Sequence, residues 1–457
     1  MSYRYKIATV FLLGFFIDCI NIFMSAIALP NIASSFSVSQ SMVAWVTNAY
    51  ILGLILIMPM SLWLATKLGN QKLLCYSMLL FSISICFIGF SESIYSLIFW
   101  RFIQGIAGGL LIPVGQALVY ALFPNQERQR ISTMIMAIAL IAPAFSPALG
   151  GVIIDSLSWR WVFFSNLPFS LLASFLAWLW VKKTENVSSE KPDIKGLVIF
   201  NISLLCLLLS FSFYGDYHNL TLAVSSFLIS VGMLIFYIRH AKKISHPILN
   251  LELLKNKNLR NAFIVYYAVP GIFTGVNLLN IFNLQLNFGF NAKQTGLFML
   301  LYATGALTAM ISGGLLYQRL GKKSLLIIGI TLHSLGIFLL FCISNTSPLS
   351  FLVIAYLFMG MGGGLSANIA QISSLIDFSG QDLLQGSVLW NINRQVSFSV
   401  GTVVLISIYN LMSGSSDLLR YQHTFLIAAL LCLLSLIPVL KEKTYVSPNG
   451  SGHSKRD

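Results

Sequence analysis

The chain has 457 residues, 57% of them hydrophobic and 9% charged, with a mean hydropathy of +0.82. Soluble chains carry about 25% charged residues, so a water-soluble globular enzyme is excluded. The 28 Lys and Arg against 14 Asp and Glu give a formal net charge of +14, which in so apolar a chain speaks for membrane orientation rather than for nucleic acid.

At about 20 apolar residues per bilayer crossing, fourteen segments read as transmembrane helices: 6–29, 42–65, 73–90, 95–122, 131–154, 160–181, 196–214, 220–238, 260–286, 295–317, 324–343, 349–376, 385–412 and 422–440. They leave short loops and no room for a sizeable soluble domain. The first segment follows Arg4 and Lys6 and ends near Ala26-Ile27-Ala28, as a cleavable signal would, but its length and Asp18 favour a retained helix. The seventh and eighth are divided by the polar run Gly215, Asp216, Tyr217, His218 and Asn219; merged, they would far exceed the bilayer. Cys19, Cys75, Cys86, Cys206, Cys342 and Cys432 all fall inside apolar runs without metal-ligand spacing, so neither a disulfide framework nor a metal site is expected.

With the N-terminus in the cytoplasm, inner loops and tails hold 23 Lys and Arg, outer loops three (Arg160, Lys293, Arg420), and helices two. This asymmetry places the C-terminus in the cytoplasm as well. The richest clusters, Lys182, Lys183, Lys191 and Lys195, then Arg239, Lys242, Lys243, Lys255, Lys257 and Arg260, read as topology anchors that also meet lipid headgroups.

The chain repeats itself. Lys67, Gly69 and Lys72 after the second segment correspond to Arg319, Gly321 and Lys322-Lys323 after the tenth, at an offset of 252. Gly105, Gly108 and Gly109 of the fourth match Gly360, Gly363 and Gly364 of the twelfth, at an offset of 255. Two homologous six-helix bundles are expected, residues 1–181 and 259–441, with linkers and two inserted helices at 182–258 and a cytoplasmic tail at 442–457. Duplicated bundles around a central site are the architecture of secondary transporters. Gly360, Gly362, Gly363 and Gly364 lack the strand and the Lys-Ser or Lys-Thr of a nucleotide loop and read as helix packing.

At these motifs the sequence resembles the major facilitator superfamily, and within it the fourteen-helix drug:proton antiporter branch of the EmrB/QacA type. Arg101, Gln104, Gly105, Gly108, Gly109 and Pro113 resemble the family's arginine-glutamine-glycine motif, and Trp159-Arg160-Trp161 with Phe163, Asn166 and Pro168 the branch's tryptophan-arginine-tryptophan signature. Smaller matches lie at Trp45, Val46, Tyr50, Leu52, Asp193, Gly196, His246, Pro247, Leu251, Leu253, Asn391, Arg394, Gln395 and Gly401. Thr66 stands where the family has an acid, Ala142 and Ser146 replace glycines before Pro147, Gly150 and Gly151, and the first-helix aspartate would align with Asn21, one turn from Asp18. The resemblance implies an all-α polytopic protein of the bacterial cytoplasmic membrane, with Lys67, Gly69, Gln104, Gly105, Gly108, Gly109, Pro147, Gly150, Gly151, Arg319 and Gly321 serving conformational change and packing.

Asp18 is the one acid in the middle of a predicted span, where insertion costs about 2.5 to 3.5 kcal/mol. The family resemblance places Arg101 near it, and the pair is the candidate proton-coupling site; a permanent structural ion pair is the other reading. His333 is either a second titrating group or a satisfied polar residue. Arg394 has no evident acidic partner and reads equally as structural or substrate-binding. Asn21, Asn48, Tyr50, Gln116, Asn277, Asn280, Asn283, Gln285, Asn368, Gln371, Trp390 and Asn391 are candidates to line a roomy amphipathic cavity or to hydrogen-bond between helices. Two arginines against one aspartate sum to plus one in the membrane, which fits neutral or anionic substrates better than dications.

The expectation is a monomeric, proton-coupled exporter of an amphipathic small molecule, a drug or a secreted metabolite such as a siderophore, using the proton gradient and no cofactor. A proton-symport importer is the alternative, and a non-transporting membrane enzyme or scaffold a third; no catalytic motif is found. A periplasmic adaptor is left open.

Overall fold

The computed structural model describes residues 2–38, 40–183, 192–215, 219–245, 247–290, 292–343, 348–412 and 416–441. His246, Lys191, residues 216–218, the tail at 442–457 and the side chain of Pro147 lie outside the described residues.

The described chain is helical: α1 (Tyr3–Phe36), α2 (Gln40–Ile57), α3 (Ser61–Leu68), α4 (Asn70–Gly89), α5 (Ile94–Leu122), α6 (Asn125–Ser156), α7 (Trp159–Phe164), α8 (Leu167–Trp180), α9 (Ile194–Gly215), α10 (Leu220–Ala241), α11 (Lys257–Tyr266), α12 (Ile272–Leu286), α13 (Ala292–Phe341), α14 (Leu349–Leu375), α15 (Gly380–Leu411), α16 (Asp417–Leu434) and α17 (Leu436–Leu440). Every segment read from the sequence falls on helix. Among the described residues, eleven helical stretches are long and apolar enough to cross a membrane. The long helices outside that number are α6, α9 and α15; α6 opens on the polar run 125–130, and α15 carries Asn391, Asn393, Arg394 and Gln395.

Breaks in the helices have local causes. Pro59 lacks an N–H and sits in a tight 3-10 turn, Met58–Met60, between α2 and α3. Pro270 lies in a wide π turn, Tyr267–Gly271, between α11 and α12. Gly69 (φ 82°, ψ 151°) separates α3 from α4, and its repeat partner Gly321 (φ 71°, ψ 168°) kinks α13. This region of backbone space is open essentially to glycine alone, so the same hinge is built twice, and Gly321 divides α13 between the tenth and eleventh predicted segments as Gly69 divides α3 from α4.

Helices α1 to α8 pack chiefly on one another, as do α11 to α17. Between them in sequence, α9 and α10 form a hairpin. Ser203 and Ser230 each donate to the other's carbonyl at 2.8 Å, and α9 leans on α2 and α15. Only 17% of the α10 span is buried, against 78% of α5, which places α10 on the outside of the bundle. The ends of the helices that carry most Lys and Arg share one side: Arg4 pairs with Glu127 at 3.0 Å, Lys6 lies over Trp180, and Lys323 donates to the carbonyl of Leu440. We call this side the basic end.

Candidate functional site: a buried carboxylate between two arginines

The site begins at a close crossing of α5 over α2. A Cβ on Gly105 would stand 2.0 Å from the Tyr50 carbonyl oxygen, and one on Gly53 2.2 Å from that of Phe102; only glycine allows the two backbones to meet this closely. Gly108, one turn on, leaves the space that Asp18 Oδ1 and the Tyr50 hydroxyl occupy, each within 3 Å of where its Cβ would be. Asp18 is 2% exposed and accepts a short hydrogen bond from the Tyr50 hydroxyl.

Arg101, fully buried, lies on the other side of the Tyr50 ring, with its guanidinium carbon 4.4 Å from the ring centroid. Its nitrogens donate to the Val46 carbonyl (2.9 Å), to Gln104 Oε1 (2.7 Å) and to Ser25 Oγ (3.1 Å). Gln104 in turn donates to Asn21 Oδ1 at 3.4 Å. Arg101 thus lies near Asp18, as the resemblance implies, and acts on it through space, while its own hydrogen bonds go elsewhere. Arg101 satisfies its donors on neutral groups of its own half and lies over the Tyr50 ring, whose hydroxyl donates to Asp18.

Arg394 is the second cation of this region. It comes from α15 and packs over the Phe15 ring of α1 at 5.0 Å. Like Arg101, it acts through space on Asp18. Asp18 is fifteen residues along α1 and Arg394 fourteen along α15, about 22 and 21 Å from the basic end at 1.5 Å per residue. Arg394 thus comes from the opposite half at the same depth, a placement the sequence could not supply.

Toward the basic end, polar side chains bond across the two halves. Asn391 donates to Gln116 Oε1 at 2.6 Å and Ser387 to the Pro113 carbonyl at 3.0 Å. Gln371 donates to the Tyr120 hydroxyl at 3.1 Å, Ser132 to Asn368 Oδ1 at 2.8 Å, and Asn368 to Thr133 at 3.1 Å. Gln116, Asn368, Gln371 and Asn391 therefore form a closed seam in this state instead of lining an open cavity. Trp390, also buried, packs edge-on to Tyr266. Asn280 donates to the Tyr356 hydroxyl at 2.9 Å, Asn283 accepts from Asn287, and Gln285 is exposed. Asn48 and Asn277 are half-buried, the Asn277 Oδ1 atom without a partner.

His333 is fully buried, bonded through Nδ1 to the Met359 carbonyl at 2.8 Å, with Nε2 unpartnered. Because a carbonyl only accepts, Nδ1 carries the proton. A Cβ on Gly363 would stand 2.7 Å from the Tyr302 hydroxyl and 3.1 Å from this Nδ1. Tyr302 follows Tyr50 by 252 residues, the offset already read from the glycine loops, so the repeat contained the signal for it. Ser25, Ser132, Thr133 and Phe15 carried no such signal, being ordinary helix residues until the helices are packed.

Of the loop motifs, Lys67 lies over the Trp63 ring at 4.5 Å, and Arg319 is exposed. Gly150 makes ordinary contact with Ile27, while Gly151 has no atom within 4 Å of an added Cβ. At the far end from the basic side, Trp159 donates to Ser35 Oγ at 3.2 Å and Arg160 to the Ser91 carbonyl at 3.3 Å, so the tryptophan-arginine-tryptophan run ties α7 to α1 and to the turn between α4 and α5. Two clefts, of about 200 and 190 Å³, lie elsewhere, between α9, α10 and α15 and between α1, α5 and α6.

Residues 11–402 and 262–455 match the Major Facilitator Superfamily. The chain belongs to this family. It is a multi-pass membrane transporter and not an enzyme. A multidrug resistance protein B homolog of Mycobacterium tuberculosis is 27% identical over 421 residues, covering 90% of this chain and 75% of its own length. Multidrug resistance protein 3 of Bacillus subtilis is 25% identical over 369 residues, covering 80% and 72%. Among solved structures, the human organic anion transporter MFSD10 superposes with a TM-score of 0.69 at 17% identity over 96% of this chain and all of its own, a likeness of fold.

Proposed function

We propose that this transporter is a proton-coupled exporter of amphipathic small molecules, of the fourteen-helix branch, set in a bacterial inner membrane with both termini cytoplasmic. On this reading α6, α9 and α15 cross the bilayer with the eleven apolar stretches, and α9 and α10 are the inserted pair between six-helix bundles 1–181 and 259–441. The multidrug names of its relatives favour efflux, and the charge asymmetry of the loops favours this orientation.

The observation that carries the mechanism is Asp18, a buried carboxylate on one half with a cation from each half within reach. Relative motion of the halves changes the distance to Arg394 while Arg101 stays fixed by its own hydrogen bonds. Such a change alters how tightly Asp18 holds a proton, and a proton taken up on one side and released on the other drives the cycle. Gly108 and Tyr50 hold the carboxylate in place. With the seam closed at the basic end, the state described is the one that has shut its cytoplasmic side.

The test is substrate-driven proton flux into liposomes with an internal pH dye, for wild type and Asp18→Asn, with bound substrate measured separately. Flux lost with binding retained is the expected result. Undiminished flux in the variant would overturn the role of Asp18, and flux only with substrate moving inward would make the protein an importer.

A further inference from the structure

The two buried arginines have unequal partners. Arg101 donates to three protein acceptors in its own half. Arg394 is 6% exposed and, among the described residues, donates to no protein acceptor; its contacts are the Phe15 face and the through-space attraction of Asp18. A guanidinium offers five donors in a planar fork suited to carboxylate, phosphate or sulfonate. Leaving them unpaired in a membrane interior is costly, and the three charged groups sum to plus one even with Asp18 ionised.

Resting on the transport reading above, we propose that Arg394 is the anion-binding residue of the substrate site, that the transported molecule is an amphipathic organic anion, and that the Asp18 carboxylate competes with it for Arg394. Phe15, under the guanidinium, supplies an apolar face for the rest of the ligand. A substrate anion occupies the fork when Arg394 is away from Asp18. With the anion on the fork, Asp18 releases its proton to the inner side. As the halves then bring Asp18 and Arg394 together, the carboxylate displaces the anion on the outer side. A proton from outside neutralises Asp18 and frees the arginine for the return, so that one proton enters for each anion that leaves.

Near Asp18 and Arg394 the other titratable groups are Cys19 of α1, Tyr50 of α2, Arg101 of α5 and Tyr266 of α11, all groups whose ordinary values lie above pH 8. His333 faces Met359 of α14 and Phe273 of α12, and a variant at Asp18 separates its titration from that of the site.

The experiment measures equilibrium binding to protein in lipid nanodiscs, with empty discs subtracted. The probes are 1-anilinonaphthalene-8-sulfonate and its uncharged analogue N-phenyl-1-naphthylamine. The sulfonate stays ionised throughout pH 5 to 8, so a pH dependence belongs to the protein. Wild type is expected to bind the sulfonate about ten-fold tighter than the neutral analogue, and tighter as pH falls and Asp18 gains a proton. Arg394→Gln loses that preference while keeping the neutral affinity; Arg394→Lys keeps part of it. Asp18→Asn binds the sulfonate more tightly at pH 8 and loses the pH dependence. Should Arg394→Gln fail to fold, as judged by thermal unfolding, Arg394→Lys and Asp18→Asn decide alone. Equal affinity for the two probes, no saturable sulfonate binding, or a pH dependence unchanged in Asp18→Asn overturns the proposal. Binding is read without a gradient, so a failed flux assay with selective binding faults the coupling and leaves the anion site standing.

Discussion

The α5–α2 crossing in the first half and the α14–α13 crossing in the second are the same joint with different chemistry. Gly105 meets the Tyr50 carbonyl as Gly360 meets that of Tyr302, at 2.0 and 2.1 Å for an added Cβ. Gly53 and Gly305 repeat the approach from the other side, against Phe102 and Leu357. Above Gly108 the tyrosine hydroxyl meets a carboxylate and its ring a guanidinium; above Gly363 the hydroxyl lies near a histidine, and its ring stacks on Phe273 at 3.9 Å. Duplication conserved the backbone geometry that positions a tyrosine, and the charge was placed in one copy only. The glycines thus do two separate things, fixing the joint at one turn and opening space for chemistry at the next.

The largest expected effect comes from breaking the joint itself. Gly105→Ala and Gly360→Ala each force a methyl group into a carbonyl oxygen and should lower stability by about 3 kcal/mol, the upper end for overpacking, read as thermal unfolding in nanodiscs. If one copy tolerates the change, the joints are not equivalent. One turn on, Gly108→Ala and Gly363→Ala should separate the copies. Each costs about 1 kcal/mol of stability, because side chains can shift where backbone cannot, yet Gly108→Ala should abolish coupled proton flux while Gly363→Ala leaves most of it.

A smaller effect is expected at the seam between the halves. Asn391→Ala removes its hydrogen bond to Gln116, worth about 1 kcal/mol. A cysteine reporter near Tyr120 should then label about five-fold faster from the basic end, since that energy corresponds to such a population shift; an unchanged rate would mean that the bond does not hold the halves closed. The smallest effect is Gly151→Ala, where an added Cβ meets nothing; stability should stay within about 0.5 kcal/mol of wild type. A fall in transport at unchanged stability would show that α6 packs more closely in another state of the cycle.

Much of the fold was legible because lipid imposes length and hydropathy on a helix, and a repeat imposes a fixed offset on its glycines. Asp18 stood out for the same reason, as an acid where acids are costly. The partners of Asp18 were not legible. Tyr50 read as one cavity candidate among many, Arg101 as a cation placed near the acid only by resemblance, and Arg394 as a cation without an evident acidic partner. Gln116, Asn368, Gln371 and Asn391 have the same composition whether they line a cavity or close a seam, and only the packing of α5 and α6 on α14 and α15 distinguishes the two.

The sequence by itself determined that this is a duplicated, membrane-spanning transporter with one costly acid in its first helix, because periodicity, composition and repeat spacing are properties of single helices and can be read along the chain. Tertiary structure decided which cation that acid faces. The contact between α1 and α15, Arg394 over Phe15, joins residues 379 positions apart, and a side chain's electrostatic environment depends on the helices set around it, not on its neighbours in the chain.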